Sequence, residues 1–134
     1  MKFLLSLVFS LGAAGSLYAA KAPQKTAELL EKGKANYAGN CVTCHGVKGD
    51  GNGPVGKMLN PKPRDFANAK FKKGDKVEQI FATLTNGLEG TAMVGYKHLS
   101  EEDRWSIAYY VKNLRAEISK AAPAEKGGKS KTKG

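Results

Sequence analysis

Both cysteines of this 134-residue chain fall in one run, Cys41-Val42-Thr43-Cys44-His45. Two thiols three positions apart, followed directly by an imidazole, form the pattern of a c-type haem attachment site. Each thiol can add to one vinyl group on a porphyrin edge, and His45 is then placed against one face of the ring, where it can ligate the iron. Two other chemistries are open to the same residues. A zinc site would recruit His98, the one other histidine. However, Cys44 and His45 are sequence neighbours, whereas structural zinc sites draw on two separated ligand pairs. A redox or structural disulfide is the second. Thioredoxin-like pairs open a helix after a strand, and no strand pattern precedes Cys41.

With His45 on one face of a haem, the chemistry turns on the other axial position. The candidates are Met58, Met93 and His98, since Met1 belongs to the leader described below. Methionine serves ordinarily as core filler. Met93 sits in Gly90-Thr91-Ala92-Met93-Val94-Gly95-Tyr96, a loop between two expected helices that is long enough to cross to the opposite face. Met58 lies in the segment expected on the histidine side.

Three amphipathic helices must position these groups, and no strand is expected. The first spans Thr26 to Asn40 and places Leu30, Gly33, Tyr37 and Cys41 at three- and four-residue intervals on one face. It delivers the first thiol directly. Gly33 is costly inside a helix, which implies close packing of another backbone or a large ring. The second helix is expected to begin at Asp75, paired with Glu78 in a capping-box pattern. It presents Val77, Ile80, Phe81 and Leu84 and stops at Asn86-Gly87. The third opens at Ser100 with Asp103 and carries Ile107, Tyr110, Val111, Leu114 and Ile118 to about Lys120. Between the first two, residues 46–74 hold five glycines from Gly46 to Gly56 together with Pro54, Pro61 and Pro63. That composition forbids a regular strand or helix. So long a loop in a compact domain has a functional reason, and wrapping one edge and the histidine face of a haem is such a reason.

Residues 1–20 have the layout of a secretory signal peptide: Lys2, an apolar run from Phe3 to Leu11, then small residues to Ala20, with cleavage expected after Ala19 or Ala20. Thiols and haem would then meet in the periplasm. The run is short and interrupted for a bilayer span of about 20 apolar residues, so an uncleaved anchor is the lesser alternative. No later segment is expected to span a membrane. What remains is one domain, residues 21–119, and a tail, residues 120–134. The tail is rich in lysine and poor in large apolar residues, and is expected to be disordered. The formal net charge is +10. A basic chain can serve nucleic acid, but no helix-turn-helix, zinc-finger or ribonucleoprotein motif is present. The surplus in the folded part is suited to steering a partner protein with an acidic face.

Taken in order, these residues resemble the small bacterial class I cytochromes c from about Lys25 to Ile118. Gly33 and Tyr37 resemble the glycine and aromatic with which the family's first helix crosses its last, and Ile107 and Tyr110 resemble their partners there. Gly53-Pro54 resembles the family's Gly-Pro. The resemblance implies that the Pro54 carbonyl accepts a hydrogen bond from the other ring nitrogen of His45, fixing the imidazole's orientation. It also implies that Met93 is the distal ligand. Val94 departs from the family, which most often has proline there. The segment Asn60 to Phe66 resembles one in many bacterial monohaem cytochromes; Arg64 there is open to two readings, a neighbour of a haem propionate or a solvated surface arginine.

The resemblance implies an all-α fold of the class I cytochrome c type: three main helices and long loops around one covalent haem c held by Cys41, Cys44, His45, Pro54 and Met93. It further implies a monomeric electron carrier between respiratory redox partners, not an enzyme, because His45 and Met93 leave iron no open site. The competing reading is a haem enzyme subunit, or a gas-binding or peroxidase-like protein with a displaceable distal ligand, in which His98 is the acid–base residue at hand.

Overall fold

The Thr26 side chain caps the first helix by accepting a hydrogen bond from the Leu29 N–H at 3.1 Å. That helix, α1, runs Ala27–Asn40 in the computed structural model, which describes residues 21–121. A single turn, α2 (Val42–His45), follows at once. The chain then forms a long loop with one 3-10 turn at Gly56–Met58 before α3 (Val77–Asn86) and α4 (Glu101–Ala121). No strand occurs among the described residues, so the architecture is all-α with three main helices, as expected. The proposed leader and residues 122–134 of the tail lie outside the described residues. No described helix is long and apolar enough to cross a membrane.

α1 lies against α4, and the crossing point is Gly33. A Cβ there would overlap the Ser106 carbonyl and sit 2.9 Å from the Tyr110 Cβ, so the two backbones approach as only glycine allows. Polar contacts flank the crossing. Asn36 Nδ2 donates to Asp103 Oδ1 at 3.0 Å and Ser106 Oγ at 3.2 Å, and Lys32 pairs with Glu102 and Asp103 at 3.1 and 3.2 Å. The expected α1 face is rotated slightly: Leu29, not Leu30, is buried with Gly33 and Tyr37. Both leucines satisfy a helical interval, and the approach of α4 at Ser106 selects between them.

α3 buries Ile80 and Leu84 and rests Phe81 on Trp105 of α4, ring centroids 3.8 Å apart and 9° between planes. Its cap differs from expectation. The N-cap is Lys76, whose backbone N–H donates to Gln79 Oε1 at 3.0 Å. The Asp75 carboxylate turns instead to Lys112 and Arg115 on α4 at 3.5 and 3.6 Å. Two cations on a neighbouring helix outcompete the local cap. The start of α4 is as read: Ser100 Oγ accepts from the Asp103 N–H at 3.0 Å. Four consecutive α4 residues, Trp105 to Ala108, are buried, because α1 and α3 cover the helix from two sides. The core joins Tyr37, Cys41, Phe66, Ile80, Leu84, Ile107, Ala108 and Val111.

Candidate haem site

Cys41 is the C-cap of α1, its N–H donating to the Tyr37 carbonyl at 2.8 Å. Every carbonyl of α2 then finds a donor in the loop that follows. Val42 accepts from Gly46 at 2.8 Å, Thr43 from Val55 at 3.0 Å, Cys44 from Gly53 at 3.2 Å and His45 from Gly51 at 2.9 Å. A helix end leaves such carbonyls without intrahelical partners, and here the glycine-rich loop supplies them. Gly56 is the tightest point, since a Cβ there would overlap the Cys44 carbonyl, and one at Gly53 would strike the Val42 and Thr43 carbonyls. Tyr37 adds a side-chain bond to the same frame, its buried hydroxyl donating to the Gly46 carbonyl at 2.8 Å. The attachment run is thus held by backbone bonds from the loop, with the Tyr37 hydroxyl as a side-chain tie.

His45 projects inward and its ring stacks on Phe66, centroids 4.8 Å apart with 29° between planes. Burial pushes its pKa below the ordinary imidazole value, with the Arg64 backbone opposing. The neutral ring that results is the form that ligates metal. Its Nδ1 is buried and has no hydrogen-bond partner among the described residues, so the bond to the Pro54 carbonyl is not formed here. Pro54 itself is exposed. A buried polar atom with no partner is costly, and this nitrogen stands open on the side that the resemblance pairs with Pro54.

Met93 enters from the α3–α4 loop. Its carbonyl accepts from the Leu88 N–H at 2.8 Å, and its N–H donates to Thr91 Oγ1 at 3.1 Å. The half-buried side chain packs against the core. Met93 and His45 line both lobes of one cleft that is partly open to solvent. Sites for organic ligands are mostly apolar clefts with a few convergent polar groups. The first lobe is walled by Ile80, Leu84, Ile107 and Val111, the second carries both thiols, and Arg64 and Lys72 stand at both. Met58 is 77% exposed on the 3-10 turn, His98 is exposed, and neither lines the cleft.

The other chemistries fare differently. Both thiols are free, and no cluster of three or more His, Cys, Asp or Glu side chains suited to a metal ion occurs among the described residues. The donor set instead fits a haem: two thiols and a neutral imidazole at the mouth of an apolar cleft, a thioether lining that same cleft, and cations at its rim for carboxylates. Burial pushes the Cys41 thiol up to about 12, so in the folded chain it is a thiol and not a thiolate. Sequence reasoning missed Phe66 as a neighbour of His45 and Tyr96 as a link across the cleft. Neither sits in a periodic segment, so no local signal marks it.

Comparison with known proteins agrees with the geometry. The chain is 36% identical over 88 residues to the Cbb3-type cytochrome c oxidase subunit CcoP of Azospirillum brasilense, covering 66% of this chain and 29% of that protein. It is 35% identical over 83 residues to cytochrome c6 of Synechocystis sp., covering 61% of this chain and 62% of that protein. Among solved structures, a chain of the reducing HAO-like protein complex of Kuenenia stuttgartiensis superposes with a TM-score of 0.65 at 34% identity, covering 71% of this chain and 47% of that one. The chain therefore spans less than two thirds of each relative's length. Residues 30–115 match the Cytochrome c family, whose covalent haem the free Cys41 and Cys44 are placed to bind, and the chain belongs to that family.

Proposed function

We propose that this protein is an exported electron carrier that holds one haem c through Cys41 and Cys44, with His45 and Met93 as the axial ligands of the iron. The observation that carries the reading is that His45 and Met93, from two different elements, line the same apolar cleft, while Met58 and His98 do not. Bound there, the haem supplies one-electron exchange between ferrous and ferric iron. The residues do the rest. Met93 offers a soft thioether, which raises the reduction potential, and the apolar walls strengthen that effect by excluding water. His45 is held neutral by burial, and the Pro54 carbonyl is the acceptor proposed for its free ring nitrogen. With His45 and Met93 both holding the iron, a substrate would have no site on it, and the residues would suit electron exchange and not substrate turnover.

Partners would be redox proteins with acidic faces that meet the basic rim formed by Arg64, Lys62, Lys72 and Lys73. Such encounters are small and transient, with charge setting orientation and on-rate. The likeness to an oxidase subunit and to a chain of a larger complex favours a second reading, in which the same haem domain works as a fixed relay. Size-exclusion chromatography of the native periplasmic fraction separates the two: a carrier elutes alone, a relay with its complex.

Optical spectra of the holoprotein test the ligation. Acid–acetone treatment should leave the colour on the protein. Met93→Ala should abolish the weak red band of ferric iron bound to thioether and lower the potential, while His98→Ala leaves both unchanged. Freely extractable haem, or the opposite pattern between the two variants, overturns the assignment.

A further inference from the structure

The loop that carries Met93 has no regular secondary structure, yet the stretch between Met93 and α4 is pinned from three directions. The Tyr96 N–H donates to the Leu84 carbonyl of α3 at 2.7 Å. Arg104, in the first turn of α4, donates from Nη1 to the carbonyls of Leu99, Lys97 and Tyr96 at 2.7, 3.4 and 3.5 Å. Its guanidinium lies over Phe81, 5.5 Å from the ring centroid, so this clamp is braced on α3. The third contact differs in kind. The Tyr96 hydroxyl donates to the Asn40 carbonyl at 3.2 Å, across 56 positions of sequence.

Asn40 is the last residue of α1 and immediately precedes Cys41. The Tyr96 bond therefore ties the methionine loop to the attachment segment, and its ring lines the same lobe as Cys41, Cys44 and Met93. Burial pushes the phenol up, so the group remains a hydroxyl donor across the working pH range.

We propose that Tyr96 is the positioning residue for the distal ligand: its hydroxyl fixes the span between the Met93 loop and Cys41, and so holds the thioether within reach of the iron. This rests on Met93 being that ligand. Removing the hydroxyl leaves the ring packed and the backbone clamps of Arg104 and Leu84 in place. The loop then swings away from the attachment segment more readily, and an external ligand competes better for the iron.

The test is titration of the ferric holoprotein with imidazole, followed by loss of the red thioether band, in wild type, Tyr96→Phe and Ser100→Ala. Ser100→Ala removes a helix cap at the far end of the loop and serves as a control for general softening. Tyr96→Phe should bind imidazole about fivefold more tightly than wild type, the factor that one net hydrogen bond represents, while Ser100→Ala matches wild type. Equal imidazole affinity in Tyr96→Phe and wild type, both with the band intact, overturns the role of Tyr96. An equal gain in Ser100→Ala also overturns it, reducing the effect to stability. A wild-type protein without the band overturns ligation by Met93 instead, and this inference with it.

Discussion

The Phe66 ring lies stacked on the imidazole of His45, 4.8 Å between centroids. Phe66 belongs to an irregular loop, and what holds it there comes from α4. Arg115 donates through Nη1 to the Phe66 and Ala69 carbonyls, the latter at 3.0 Å, lies over the Phe71 ring at 4.8 Å and pairs with Asp75. One guanidinium thus fastens the loop that covers the histidine face, and the loop hands that order to His45 through an aromatic contact.

Truncating that contact should be costly. Phe66→Ala removes a core aromatic and uncovers the His45 face, with an expected loss of about 3–5 kcal/mol. Denaturant unfolding of the holoprotein measures it. A loss well under 1 kcal/mol would mean that the haem, not Phe66, orders the loop.

Gly33→Ala ought to destabilise in spite of the better helix propensity of alanine, worth about 1 kcal/mol. The added methyl meets the Ser106 carbonyl, which belongs to helix backbone and cannot swing aside. Overpacking of this kind costs about 1–3 kcal/mol, so the denaturation midpoint should fall. A raised midpoint would show that α1 and α4 can part without penalty.

Acid should reveal Asp103. Its hydrogen bonds from Ser100 and Asn36, with Lys32 nearby, hold its carboxyl down at about 2, against about 3.9 for a free side chain. A depressed folded pKa stabilises above the unfolded value, and the contribution disappears as pH falls through the folded one. The melting-temperature gap between wild type and Asp103→Asn should therefore be constant above about pH 4 and shrink towards pH 2. A gap that persists unchanged to pH 2 would assign the effect to shape and not charge.

Electron transfer to an acidic redox partner should slow as ionic strength rises, since salt shortens the reach of the field to about 8 Å at physiological strength. Truncation after Ala121 keeps α4 whole and separates the rim lysines from the tail. Most of the salt dependence should survive it, because a rim fixes geometry and a terminal segment adds encounters. Second-order rates against salt for both forms decide. A flat profile removes charge from docking, and a dependence lost on truncation assigns recognition to the tail.

Much of this site is local chemistry and was legible as such. The attachment run needs Cys41, Cys44 and His45 at fixed offsets, and a covalent pattern of that kind survives any folding detail. Helix α4 announces itself through Ser100 and Asp103, and α3 through Val77, Ile80, Phe81 and Leu84, because a cap and a repeating stripe are properties of a few consecutive residues. Gly33 was readable as a close approach, since a glycine in a helix asks for a reason.

What the residues could not express is which partner each one meets when several are chemically acceptable. Asp75 suits a helix cap as well as an ion pair, and only the arrival of Lys112 and Arg115 on α4 decides for the pair. Leu29 and Leu30 both fit the α1 stripe until α4 approaches at Ser106. Phe66 and Tyr96 lie in loops whose course has no period, so their contacts with His45 and Asn40 exist only once distant segments close on one another. Spacing along a chain determines covalent and helical relationships, because both act over a few bonds. Choice among competing long-range contacts is settled by packing, where burial and electrostatics of the whole fold are balanced at once.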